Sequence, residues 1–201
     1  EYYKDRNTIE KNTNNIFFPN HNISFELILV WLERHLFIKE ISKNINSELY
    51  CHIDWGYFRD NNYYENWCNN SNLEKIDKNK IHIGYVSNDH NNDNINNISN
   101  IVNSNSYDNM YNIIPSFYNI IAGGCYIIPK ILIDKWYEIY KNTLDNFINN
   151  ILIFKDDQII LSYIIFNDNN KQYFKLIYNN NEWFMFKDFL NDTNSVKYID
   201  L

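Results

Sequence analysis

Alanine is all but absent from this chain: Ala122 is the only one in 201 residues. Glycine, at 4, and proline, at 3, are nearly as scarce, which excludes collagen-like and other Gly/Pro-rich fibres. The 3 cysteines, Cys51, Cys68 and Cys125, cannot close a fully paired framework, and no C-x-x-C spacing marks a zinc site. A reducing compartment such as the cytoplasm is the expectation. Basic residues are also in deficit, 18 Lys and Arg against 25 Asp and Glu for a net charge of -7. That argues against nucleic acid as a partner, since phosphate contacts need a Lys/Arg surplus on one face. No apolar run reaches the roughly 18 to 20 residues a transmembrane helix needs, and the first residues are charged rather than forming a signal-peptide core.

What is present is 45% apolar and 17% aromatic, which excludes disorder throughout, together with 39 asparagines and a mean hydropathy of -0.52. The single alanine beside so much asparagine points to an AT-rich genome, so raw propensity carries little weight. The length suits one domain, residues 1–201, with a real core. Because the chain starts at Glu1 and not at Met, a fragment is one expectation.

Residues 1–22 read as loop around an apolar island at Ile16, Phe17 and Phe18. From Ser24, a candidate N-cap, Phe25, Ile28, Leu29, Leu32 and Leu36 fall at helical spacing, predicting a helix to about Lys43. Leu49 to Ile53 reads as a buried strand stopped by Asp54 and Gly56, and Ile81 to Val86 as a second. Asn, Ser and Asp dominate 87–109, predicting a mobile loop inserted in one core. Phe117 to Ile128 is a strand interrupted by Gly123 and Gly124, and Pro129 suits the first turn of a helix buried through Leu132, Trp136, Ile139, Tyr140, Thr143 and Phe147. A third helix starts at Asp156 and Asp157, with Ile159, Ile160, Tyr163 and Ile164 inward; Tyr173 to Tyr178 and Trp183 to Phe186 are short strands or turns. Strands alternating with helices predict an α/β layer fold.

Three polar clusters break the apolar pattern. Asp54, just past a strand end, is placed as an oxygen ligand to a phosphate-bound metal, or simply opens a turn with Gly56. Gly123 and Gly124 either admit a substrate against the main chain or form a bulge or tight crossing. One of Asp156 and Asp157 is explained as a helix cap; the second, beside Gln158, suits holding an acceptor hydroxyl and assisting its deprotonation. Cys125 reads as a small buried hydrophobe. The five histidines form no H-x-x-x-H pair, and solvated or core-satisfied histidine is the reading for each.

In order along the chain, the segments S-F-E-L-I-L-V-W from Ser24, Y-C-H-I-D-W-G-Y-F-R-D from Tyr50, I-A-G-G from Ile121, D-D-Q from Asp156 and N-E-W-F from Asn181 resemble the HtrL/YibB (WlaTC-type) glycosyltransferase family over roughly residues 20 to 190. The resemblance implies a GT-A-like fold, a Rossmann-type mixed sheet flanked by helices. It implies transfer of a hexose from a nucleotide sugar, UDP-hexose being the expected donor, to a glycan or protein acceptor, with Mn²⁺ or Mg²⁺ as cofactor. Asp54 would be the metal-associated acid at the end of a central strand. Gly123 and Gly124 would leave room for sugar or acceptor, and Asp157, Gln158 and Asp156 would line the reaction centre. Gly56 and Arg59 belong to the same donor segment; Arg59, then Lys187 and Lys197, are candidates to meet the departing diphosphate. In place of D-x-D the chain has Asp54-Trp55-Gly56, and the family's N-terminal strands before the Ser24 helix are not identifiable. Those two departures favour, as the alternative, a non-catalytic glycan-binding or assembly module of the same fold. A metal-dependent phosphodiesterase is a third reading, which the histidine spacing does not support.

Overall fold

A computed structural model of the chain describes residues 7, 25–54, 73–86, 92–104, 120–150, 157–179, 185–191, 196–199 and 201. Five strands, β1 (Leu49–Ile53), β2 (Ile81–Tyr85), β3 (Ile121–Pro129), β4 (Phe174–Tyr178) and β5 (Lys197–Ile199), form one mixed sheet in the order β1-β3-β2-β4-β5. β3 runs antiparallel to both β1 and β2, β2 and β4 are parallel, and β5 is antiparallel to β4. With helices α1 (Phe25–Leu32), α2 (Arg34–Asn44), α3 (Asn92–Asn103), α4 (Ile133–Asn149), α5 (Asp157–Phe166) and α6 (Met185–Asn191), this is a single-domain α/β protein whose mixed sheet is flanked by helices.

Side chains alternate between two faces of the sheet, as a pleated backbone requires. Tyr50, Ile81, Ile83, Tyr85, Ile121, Tyr126, Ile128, Phe174, Leu176 and Tyr178 face the larger core, built with α1, α2, α4 and α5. Ala122, Cys125, Ile127 and Ile177 face a smaller core closed by Met185, Phe186, Phe189 and Leu190 of α6. Between Ile83 and Gly84 the pairing partner jumps from Tyr126 to Ala122, leaving Gly123, Gly124 and Cys125 as extra residues on β3. That insertion is a β-bulge, and it lies against Asp157 and Gln158 at the start of α5.

The strands at Leu49–Ile53, Ile81–Tyr85 and Phe174–Tyr178 fall on the expected runs, but β1, expected to be buried, fully buries only Tyr50 and exposes Cys51. Pro129, expected in the first turn of a helix, instead ends β3 in extended backbone, and one 3-10 turn, Lys130–Leu132, leads into α4. The α4 stripe is buried at Trp136, Ile139, Tyr140, Thr143 and Phe147, with Ile133, Leu144 and Ile148 added, whereas Leu132 lies in the 3-10 turn and is only half-buried. Other readings need correction as well. The helix from Phe25 breaks at Glu33, and its inward residues past the break are Arg34, His35 and Ile38, with Leu36 only half-buried. The stretch 87–109, read as a loop, contains the helix α3, whose Ile98 and Val102 are buried. The end of the segment read as a strand or turn to Phe186 is instead the start of α6, and β5 was not foreseen. Finally, among the described residues β1 is outermost in the sheet order, so Asp54 follows an outer strand of the described sheet rather than a central one.

Candidate functional site

Arg34 organises the three polar clusters. It sits one residue past the break between α1 and α2, on the face that packs against the sheet, and is 3% exposed. Its Nη2 donates to Asp54 Oδ1 at 2.7 Å, and its Nη1 donates both to Asp157 Oδ2 at 2.5 Å and to the carbonyl of Gly123 at 3.0 Å. One planar guanidinium therefore joins the end of β1, the β3 bulge and the first residue of α5, which no lysine point charge could do in the same plane.

The backbone explains why these atoms meet. The Asp54 amide donates to Gly124 O at 2.8 Å, extending the β1–β3 ladder one step past Ile53 and fixing the carboxylate on the helical face. On the other side the same bulge is free of β2 pairing, so the Gly123 carbonyl can turn to Arg34. A β-carbon at Gly123 would stand 3.2 Å from Gln158 Cγ and 3.4 Å from both carboxylate oxygens of Asp157. The space beside Gly123 is thus occupied by α5 side chains: this glycine permits close strand-helix approach, and the expected room for a sugar is not there. Asp157, buried in the first turn of α5, also complements the helix dipole.

Burial works against the charge on Arg34, but Asp157 and then Asp54 more than offset it and raise its pKa. For Asp54, burial pushes the carboxyl up, while the contact with His52 and the Arg34 charge outweigh it and hold the pKa below the ordinary value. His52 Nε2 lies 3.5 Å from Asp54 Oδ1, and burial keeps that imidazole's pKa low. Across the ladder His52 stacks on Tyr126 at 4.8 Å between ring centroids. The Tyr126 hydroxyl is fully buried with no hydrogen-bond partner among the described residues; burial and then the Asp157 charge push its pKa well up. It lies within electrostatic reach of Asp157 and Asp54.

Asp54, Gly123, Gly124, Asp157 and Gln158 are thereby brought together, while Gly56, Arg59 and Asp156 lie outside the described residues. Two weaker candidates are placed elsewhere. Lys197 opens β5 at the opposite edge of the sheet, and Lys187 belongs to α6, which closes the other face. Arg34 itself was missed; its signal was a cation four residues before the core residue Ile38, on a helix read only for apolar spacing.

The described residues do not by themselves fit a resident Mn²⁺ or Mg²⁺. Asp54 offers one carboxylate, already bonded to a guanidinium, and no group of three His, Cys, Asp or Glu side chains converges among the described residues. Among them, too, no helix is long and apolar enough to cross a membrane. No family model, curated protein or solved structure matches the chain.

Chemically, one positive and two negative groups form a fixed, net acidic cluster, with Arg34 and Asp157 buried and Asp54 half-buried at its outer side. Asp157 Oδ2 is already engaged by the Arg34 guanidinium, so the carboxylate is held in one orientation and suits positioning a hydroxyl.

Proposed function

We propose that this chain is a nucleotide-sugar-dependent glycosyltransferase of GT-A type, moving a hexose from a UDP-sugar to a glycan or protein acceptor. The observation that supports it is convergence: Asp54, Gly123 and Asp157, drawn from the three motifs of the resemblance, meet on Arg34.

Transfer moves the anomeric carbon from a phosphate oxygen to an acceptor hydroxyl, which must give up its proton as the diphosphate gains negative charge. In this reading Asp157 accepts the hydrogen bond of the acceptor hydroxyl, Gln158 supplies a second polar contact, and Asp156 stands next in sequence. Arg34 is the positioning residue, bonded to both acids and aiming them. Asp54, with Gly56 and Gly124, marks the donor side, and Arg59 is the cation for the departing diphosphate. A divalent cation carried on the diphosphate would arrive as part of the substrate.

The test is a panel of UDP-sugars, each with and without Mn²⁺, read by UDP release and by thermal shift. Turnover with at least one donor is expected, with Asp157→Asn slowing it by about 10²- to 10⁴-fold and Gln158→Ala giving a smaller loss at unchanged circular dichroism. No turnover and no thermal shift across the panel would end the proposal.

One observation favours a second reading, a non-catalytic glycan-binding module: a single guanidinium engages both described acids. Calorimetry would then record glycan binding with no UDP binding.

A further inference from the structure

On the sheet face opposite Arg34, two thiols touch. Cys51 Sγ and Cys125 Sγ are 3.6 Å apart, at diagonal positions of the β1–β3 ladder where Cys51 pairs with Ile127 and Cys125 with Ile53. Cys51 is exposed and Cys125 is buried behind it. Cys51 also lines a pocket of about 480 Å³ walled by Leu49, Leu73, Ile127 and Leu190, with the Lys78–Glu48 ion pair among its lining residues. An accessible thiol backed at contact distance by a second, sheltered thiol is the arrangement that thiol-disulfide exchange needs: the first sulfur meets the reagent and the second resolves the adduct.

We infer that Cys51 and Cys125 form a redox-modification site whose reagent is a low-molecular-weight disulfide of the glutathione class. The Cys51 thiol loses its proton to solvent, and its thiolate attacks one sulfur of the reagent. The reagent's S–S bond breaks as the Cys51 mixed disulfide forms, and the first small thiolate leaves and takes up a proton. Cys125, deprotonated in turn, attacks the Cys51 sulfur and expels the second small thiol. Two protein thiols are thereby oxidised to one disulfide while one small disulfide is reduced to two thiols. Closing the bond requires the sulfurs to approach from 3.6 Å to about 2.05 Å. The two cysteines lie on the same two strands whose ends carry the Asp54 amide–Gly124 carbonyl bond and the Gly123 carbonyl that receives Arg34.

The experiment uses the full chain carrying Cys68→Ser, so that Cys51 and Cys125 are its only thiols. It is incubated with oxidised glutathione, quenched with an alkylating agent and analysed by peptide mass spectrometry. The expected product is a Cys51–Cys125 cross-linked peptide that dithiothreitol reverses. With Cys125→Ser added, the Cys51–glutathione adduct should persist, accumulating about ten-fold above its level in the parent because no resolving thiol remains. With Cys51→Ser, Cys125 should stay unmodified while the protein is folded by circular dichroism. A glutathione adduct on Cys51 that persists equally with and without Cys125 overturns the inference. So does a fully reduced pair at a reagent excess that oxidises free cysteine.

Discussion

Arg34 in α2 and Asp157 at the head of α5 lie 123 positions apart in the chain and meet at 2.5 Å, Nη1 to Oδ2. Both side chains are almost completely buried, and Asp157 is the largest charge compensating Arg34 for its lost hydration. Asp54 is the outer member of the trio, with 38% of its side chain exposed, and water weakens its share.

Removing the shared cation should therefore unfold the protein more readily than removing a typical core methyl. Arg34→Met leaves Asp157 buried without its guanidinium and should cost about 3–5 kcal/mol in urea denaturation. Adding Asp157→Leu should return part of that loss, because the stranded charge is gone. A single variant within 1 kcal/mol of the parent would mean that about 3 kcal/mol of expected coupling is missing. The Asp54 carboxyl, held below its ordinary value of 3.8, contributes stability above that value and loses it as pH falls through the lowered one.

His35 should dominate the milder acid response. Fully buried, with Nδ1–H donating to the Leu32 carbonyl at 2.9 Å, its imidazole has burial as the main cause of a pKa lowered from 6.5 to about 4. Between those values the unfolded chain binds the proton and the folded one does not, so stability falls as pH is lowered through the window. The full swing is about 3 kcal/mol. His35→Gln should flatten the slope of unfolding free energy against pH between about 6.5 and about 4; an unchanged slope would assign the effect to another group.

Two glycines should respond differently to alanine. At Gly84 the new β-carbon would meet Ala122 Cβ at 3.0 Å, a rigid neighbour, and Met185 at 3.1 Å, a pliable one. Gly84→Ala should cost about 1–3 kcal/mol in denaturation. At Gly123 the nearest atom is Gln158 Cγ at 3.2 Å, part of a side chain that can yield, so the stability cost should be smaller while Asp157 and Gln158 shift. If the proposed activity exists, Gly123→Ala should lower it more than Gly84→Ala; the reverse order would separate the bulge from the site.

Tyr126→Phe tests the buried hydroxyl. Deleting a polar atom that has no partner among the described residues should leave stability unchanged or raise it by about 1 kcal/mol. Loss of UDP-sugar turnover at full stability would place the hydroxyl in the reaction; a drop in stability would reveal a bond to it that the folded chain depends on.

Much of this framework is legible in the chain itself. Leu49–Ile53 and Ile81–Tyr85 announce strands because short apolar runs end in turn residues, and α4 announces its buried stripe because Trp136, Ile139, Tyr140, Thr143 and Phe147 keep helical period. In α3 the same period, at Ile95, Ile98 and Val102, is diluted by asparagine, which hides a helix within what reads as loop. At the site, the clusters holding Asp54, Gly123 and Asp157 stand out individually as polar or glycine interruptions of apolar runs. Their common partner does not, since Arg34 reaches them across 20, 89 and 123 positions and only the packed sheet sets those distances. Cys51 and Cys125 are likewise ordinary residues until the β1–β3 register places them side by side.

The bulge in β3 reverses the parity of the strand. Ahead of it the odd-numbered Ile121 points to the large core, and beyond it the even-numbered Tyr126 and Ile128 do. Three is an odd insertion, so excising Gly123, Gly124 and Cys125 together would let Ala122 run straight into Tyr126 with every remaining side chain on its present side. The β2–β3 pairing alone has no use for that tripeptide, although on the other side Cys125 is the ladder partner of Ile53. What would disappear with it is the pair of carbonyls that receive Arg34 and the Asp54 amide, together with the last β1 partner on β3, so one tripeptide ties the cluster to the edge of the β1–β3 ladder.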